Sequence, residues 1–185
     1  MLPDDKRELR RVVRVRFPGG ETRDRESALI CGHIASWRPY QEARMVAGYL
    51  PLPWEADVTP LLRDALASGK TLLLPRVEGE SLTLRRVERM DALIPGRWGI
   101  PEPPEDAPIV PVSEAQLLLV PLEAIDGSGM RLGKGGGFYD ALLQGCGAVS
   151  LGIALSWQRV ERVPRESWDQ PLSAVADQDG IERFR

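Results

Sequence analysis

Apolar residues along this chain fall into short blocks cut by proline, glycine and charge, and the blocks follow two spacings. Largely apolar blocks at 43–50, 70–75, 117–121, 148–155 and 172–176 predict strands, those at 70–75 and 117–121 buried, because they are short and bounded by turn residues. Leu82 to Val87 alternates apolar and polar positions instead and predicts an edge strand, entered through a Glu78-Gly79-Glu80 turn. Helical spacing appears between these blocks. Residues 4–16 place acids before bases, as the helix dipole favours, and put Arg7, Arg10, Arg11 and Arg14 on one face. Phe17-Pro18-Gly19-Gly20 stops that helix. Thr22 is the expected cap of a second helix reaching Trp37, with Leu29, Ile30 and Ile34 inward and Pro39 ending it. Thr59 as cap, Pro60 at the first helical position, apolar Leu61, Leu62, Ala65 and Leu66, and Gly69 past the end define a third. A fourth runs from Phe138 to Gln144 and ends at Gly145.

Strand, helix and strand follow one another between residues 43 and 75, the pattern of a βαβ unit and hence of a parallel sheet. The expected class is α/β, with the whole of 1–185 as a single domain. Residues 91–114 carry six prolines and read as a linker or a rigid loop, with Trp98 and Ile100 as anchors in the second case. Composition adds exclusions. A net charge of −3 gives no general pull toward nucleic acid or an anionic membrane. No apolar run approaches a membrane span, and the N-terminal stretch has no signal-peptide core. Cys31 and Cys146 form neither a disulfide framework nor a metal spacing, which fits a reducing cytoplasm. His33 alone excludes a two-histidine metal motif.

Residues 117–140 hold the richest chemistry: LLLVPLEAIDGSGMRLGKGGGFYD. Four glycines stand in five residues, beside Arg131 and Lys134, between a buried strand and a helix start. Glycine lets main-chain N–H groups converge on an anion, and the two cations suit phosphate. The plain alternative is a flexible surface loop. Two common phosphate loops fail on spacing. Gly129 to Lys134 is one residue short of a Walker A loop, and Gly135 replaces its Ser or Thr. The spacing G-x-G-x-x-G would need glycine at Phe138 or Asp140. Asp140, in the first helical turn, reads either as a dipole complement or as a magnesium ligand.

The segment Arg131 to Asp140 resembles the R-L-G-x-G-x-G-[YF]-Y-D motif of the 5-formyltetrahydrofolate cyclo-ligase family. The resemblance extends in order over nearly the whole chain. Lys6-Arg7-Glu8-Leu9-Arg10 is similar to the family's K-x-x-L-R, and Tyr49-Leu50 with Glu55 to its substrate segment. Residues 69–75, Trp98-Gly99-Ile100 with Glu102-Pro103, Gln158, Val163-Pro164 and Asp169 follow. The family implies a three-layer αβα fold with a mostly parallel sheet, similar to sugar-phosphate isomerases and CoA transferases. It implies ATP- and Mg2+-dependent conversion of 5-formyltetrahydrofolate to 5,10-methenyltetrahydrofolate, with release of ADP and phosphate.

Residue by residue, the resemblance places Lys6, Arg7, Glu8, Leu9 and Arg10 at the nucleotide, with Lys6 and Arg10 reaching phosphates. Arg131, Leu132, Gly133, Lys134, Gly135, Gly136, Gly137, Phe138 and Tyr139 would wrap the triphosphate. Leu50, Glu55 and the Lys134–Phe138 segment would face the folate, and Asp140 and Asp169 would hold Mg2+. Arg11 and Arg14 keep the reading of a solvated face. Trp54 either stacks on the folate ring or packs beside its two prolines. No general acid or base is implied. Four positions depart from the family pattern: Glu123, which brings a charge close to the phosphate region, Ile125, Ala141 and Trp168. The expected partners are small molecules only, with no nucleic acid or membrane, for a cytoplasmic monomer. The rivals are a non-catalytic folate- or nucleotide-binding relative, a nucleic-acid module using the N-terminal arginines, and an ATP-independent isomerase on a related fold.

Overall fold

The computed structural model describes residues 5–184, the Trp98 side chain excepted. The expected helix start at residue 4 and the anchoring role of Trp98 lie outside these. Helices α1 (Lys6–Val15), α2 (Gly20–Ser36) and α3 (Arg38–Glu42) precede strand β1 (Met45–Ala47). Helix α4 (Thr59–Ala67) leads to β2 (Thr71–Glu78) and β3 (Ser81–Val87). The proline-rich segment holds the short pair β4 (Ile94–Pro95) and β5 (Pro101–Glu102). Then come β6 (Leu117–Pro121), the hairpin β7 (Ala124–Ile125) and β8 (Arg131–Leu132), and helix α5 (Phe138–Gln144). Strands β9 (Val149–Ile153), β10 (Ala174–Asp177) and β11 (Gly180–Arg183) close the described chain.

Seven strands form one sheet in the order β11-β10-β9-β6-β1-β2-β3. The five inner strands are mutually parallel, and β3 and β11 add antiparallel edges. Burial on both faces explains the continuous apolar blocks. Leu117 and Leu119 of β6 point into one core with Ile30 and Ile34 of α2 and Leu61 and Leu62 of α4. Leu118 and Val120 point into the opposite core, against Tyr139, Leu142 and Leu143 of α5. The period-two alternation of β6 thus feeds two apolar layers, and the architecture is three-layer αβα. A third cluster stands apart from the sheet: Leu9 and Val13 of α1 pack on Ala124, Met130 and Leu132 of the hairpin and on Val163.

Several boundaries differ from the sequence reading. Thr22 lies inside α2, whose cap is Gly19, so its hydroxyl caps nothing. Trp37, not Pro39, ends α2, and Pro39 sits in the first turn of α3. Leu29 is 48% exposed, because the inward face of α2 is set by Glu26, Ser27, Ile30, Cys31 and Ile34. Thr59 is already helical, and its N–H donates to Asp57 Oδ1 at 2.9 Å. The first strand shrinks to Met45–Ala47, since the chain turns away at Gly48 to build the site. The proline-rich segment is no linker: Val110 N donates to Leu84 O (2.9 Å) and Arg86 N to Pro108 O (2.9 Å), tying it to β3.

Leu118→Ala removes a fully buried side chain between sheet and α5 and costs about 2–5 kcal/mol. Leu29→Ala stays within about 0.5 kcal/mol of the parent. Urea unfolding of the two variants measures both.

Candidate active site

The chain runs from β1 outward to β2 and β3, returns to β6 beside β1, then builds the other half of the sheet. The strand order therefore reverses between β1 and β6, the place where open α/β sheets bind ligands. A cleft of about 1000 Å³ opens there, beyond the C-terminal ends of these strands. Tyr49 and Leu50 after β1, Leu74 and Pro75 of β2, and Pro121 of β6 give it an apolar floor. The glycine segment Arg131–Asp140 forms one wall, and Ile100, Pro101 and Glu102 contribute another. Lys6 and Arg10 of α1 enter from the side, with Glu166, Trp168 and Asp169.

The glycine wall stands on the β7–β8 hairpin, and a buried carboxylate shapes that hairpin. Asp126 Oδ1 accepts from Ser128 N (2.8 Å) and Met130 N (3.3 Å), and Oδ2 from Val163 N (3.0 Å). Burial alone would raise its pKa, but the Ser128 hydroxyl, which also donates to Oδ1, and these N–H groups outweigh burial and hold it below the ordinary aspartate value. Because α1 packs on the same hairpin, the helix is fixed relative to the loop, and Arg10 Nε reaches Gly133 O at 2.7 Å. The Arg131 side chain, 2% exposed, donates through Nη2 to Asp140 Oδ1 at 2.8 Å and so spans the loop from strand to helix. Burial lowers the Arg131 pKa and Asp140 opposes that shift. Gly135 (φ +104°) and Gly137 (φ +69°) take backbone conformations closed to most side chains, which leaves the crest between them bare and exposed.

Three further charge clusters lie in or near the cleft. Lys6 Nζ sits 2.6 Å from Asp169 Oδ2 and 2.6 Å from Glu166 Oε2. Burial would lower the Lys6 pKa, but the two carboxylates prevail and raise it. Glu55 lies behind the glycine wall with Lys134 Nζ 2.6 Å from its Oε1, an ion pair whose angle falls outside hydrogen-bond geometry. Burial pushes the Glu55 pKa up, Lys134 and the Leu52 N–H pull it back, and the net direction is upward. Arg14 holds both oxygens of buried Glu123, at 3.0 and 2.7 Å, and its guanidinium lies 5.8 Å from the centroid of Trp54.

The structure gathers most of the expected residues at one place. Lys6, Arg10, Leu50 and every residue from Arg131 to Asp140 line the cleft, as does Asp169. Arg7 and Glu8 do not: they face outward, and Glu8 pairs with Arg11 at 3.5 Å. Leu9 does not line it either, because it is fully buried against the hairpin. Glu55 is not on the cleft surface but covered by Lys134. Arg14 keeps half of its side chain in solvent but is not only a solvated arginine, since it also pairs with buried Glu123. The charge of Glu123 is thereby kept from the phosphate region, and Glu123 does not line the cleft. Trp54 lies between the two readings, touching the cleft on one side and Arg14 on the other. Sequence reasoning missed Glu166 and named Glu102 only as part of the family pattern, without a site role; the place of both in the cleft depends on contacts distant in the chain. Among the described residues no group of three or more His, Cys, Asp or Glu side chains gathers with metal-holding geometry.

The model of the 5-formyltetrahydrofolate cyclo-ligase family matches residues 4–178. The chain belongs to this family. A 5-formyltetrahydrofolate cyclo-ligase of Escherichia coli K12 is 36% identical over 149 residues, 77% of this chain and 82% of that protein. The mouse enzyme of the same name is 25% identical over 180 residues, covering 90% and 89%. The solved structure of Aquifex aeolicus 5,10-methenyltetrahydrofolate synthetase superposes with a TM-score of 0.87 at 36% identity, over 97% of this chain and 93% of that one. The chain is accordingly a ligase.

Asp126→Ala removes the carboxylate that three backbone N–H groups share and costs about 3 kcal/mol near neutral pH. A depressed native pKa means that the unfolded chain binds the proton more readily. This contribution is therefore complete above the unfolded value near 3.9 and drains as pH falls through the lower native value. Urea titrations across pH find the gap between parent and variant narrowing below about pH 4.

Proposed function

We propose that the cleft binds Mg-ATP along α1 and the glycine wall, binds 5-formyltetrahydrofolate over the β1 end, and closes the folate ring at the cost of ATP. The observation that carries this reading is the convergence of Lys6, Arg10, Arg131 and Lys134 with a bare glycine crest on the rim of an apolar floor. Main-chain N–H groups of 133–137, with Arg10 and Lys6, would hold the triphosphate. Leu50 and Tyr49 would contact the pterin, and Glu55 would accept from its N–H groups.

The chemistry follows from the leaving group. The formyl oxygen on folate N5 attacks the γ-phosphorus and displaces ADP, which makes that oxygen part of a phosphate ester. Folate N10 then attacks the formyl carbon, the C–O bond breaks, and phosphate leaves with the formyl oxygen. Loss of the N10 proton completes the methenyl ring. This chain's residues position two substrates and neutralise charge, as phosphoryl transfer requires. Asp140 and Asp169 fit a magnesium ion that arrives with the nucleotide. Both line the cleft, and two carboxylates suit an ion that keeps phosphate oxygens and water. Bound there, Mg2+ would neutralise charge on the phosphates during transfer.

Purified protein mixed with 5-formyltetrahydrofolate and Mg-ATP develops methenyl absorbance that depends on both ATP and Mg2+; no ATP-dependent product at high enzyme concentration refutes the reading. Lys6→Met weakens Mg-ATP binding about tenfold or more, as loss of a charged hydrogen bond does. Arg11→Met, which removes an exposed cation paired with Glu8, leaves it unchanged. Equal losses in a nucleotide titration contradict the assignment.

A further inference from the structure

Glu55 is held in an arrangement that its proposed ligand has to undo. Its side chain is 3% exposed, and Oε2 accepts from Leu52 N at 2.9 Å. Oε1 makes no hydrogen bond and is neutralised by Lys134 Nζ at 2.6 Å. The other charges near Glu55 do not replace Lys134. Glu123 repels it, Arg14 is engaged by Glu123, and Arg23 is engaged by the main-chain carbonyl of Glu55 and by Asp24. Tyr49 and Tyr139 add bulk and no charge, since burial pushes both phenols further from ionisation. Lys134 reaches Glu55 from the exposed crest of the glycine wall, and its side chain is 37% exposed. Arg10 pins the backbone beside it through Gly133 O at 2.7 Å, so what can move is the long, partly exposed Lys134 side chain itself.

The same ammonium lines the cleft with Arg10 and Arg131, where a triphosphate presents several negative charges against one on Glu55. Lysine is a mobile point charge and follows the larger charge. We infer that Lys134 couples the two substrates. In the nucleotide-free protein it neutralises and covers Glu55; nucleotide phosphates draw it away, and Oε1 is left buried, anionic and open to pterin N–H donors. The inference rests on the cyclo-ligase reading of the cleft. A buried carboxylate that has lost its cation is unfavourable, and the pterin donors relieve that penalty. Nucleotide therefore tightens folate binding, and by linkage folate tightens nucleotide binding to the same degree.

Calorimetric titration of 5-formyltetrahydrofolate into the intact protein, with and without a saturating non-hydrolysable Mg-ATP analogue, reads this coupling. The parent protein binds folate about tenfold more tightly with the analogue present. Lys134→Met binds folate with one affinity in both conditions, once a separate titration has established that the analogue is saturating. Glu55→Gln, titrated at higher concentrations, loses the coupling as well, because Lys134 no longer has a buried charge to leave. A parent protein without coupling, or a Lys134→Met protein that retains it, overturns the inference while the cyclo-ligase reading stands. A parent protein that binds neither ligand overturns the functional reading and the inference with it.

Discussion

The packing of α1 on the β7–β8 hairpin is the contact on which the site depends. Leu9 and Val13 are buried against Ala124, Met130, Leu132 and Val163, away from the two sheet cores. That small cluster fixes the distance between a basic helix and a glycine wall that are more than a hundred residues apart in the chain. The hairpin itself is held by Asp126, whose carboxylate serves backbone donors on both sides of its turn and on the Val163 segment. Without it, Arg10 and the carbonyl of Gly133 would have no reason to meet. The parallel sheet supplies a floor, but this satellite cluster supplies the walls.

Charge around the cleft is arranged in closed pairs. Lys6 lies with Asp169 and Glu166, Arg131 with Asp140, Lys134 with Glu55, and Arg14 with Glu123. Buried ions need partners in the free protein, since an unpaired one would be far more costly than the pair is favourable. The pairs differ in depth. Arg14 and Glu123 sit away from the cleft and hold Trp54 at its edge, whereas Lys6, Arg131 and Lys134 face the ligand space. On the proposed reading the second set exchanges partners when phosphates arrive, and the first does not. This division separates charges that build the site from charges that work in it.

Local pattern carried much of the architecture. Strand β6 and helix α5 have the bounds that their apolar blocks predict, because Pro121 closes one and Gly137 and Gly145 bracket the other. The βαβ unit over β1, α4 and β2 was equally legible from capping and block length. Strand β11 was not. Its Gly180-Ile181-Glu182-Arg183 has one apolar residue and earns its place only by pairing with β10. Of the site, the glycine crest and the cations beside it were visible as chemistry, and the family motif named their ligand. The role of Arg14 was hidden, because its partner lies 109 residues on and a solvated arginine looks the same in sequence. The covering of Glu55 by Lys134 was hidden for the same reason: two residues of one site were read as contacts of a ligand, not of each other.

If both substrates meet across the glycine wall, the formyl oxygen must pass directly from folate to phosphorus. Substrate labelled with 18O at the formyl group, turned over with Mg-ATP and this protein, tests that transfer. Mass spectrometry of the released phosphate is expected to find one labelled oxygen per methenyl product. Label recovered in water, with unlabelled phosphate, would contradict direct transfer within the cleft.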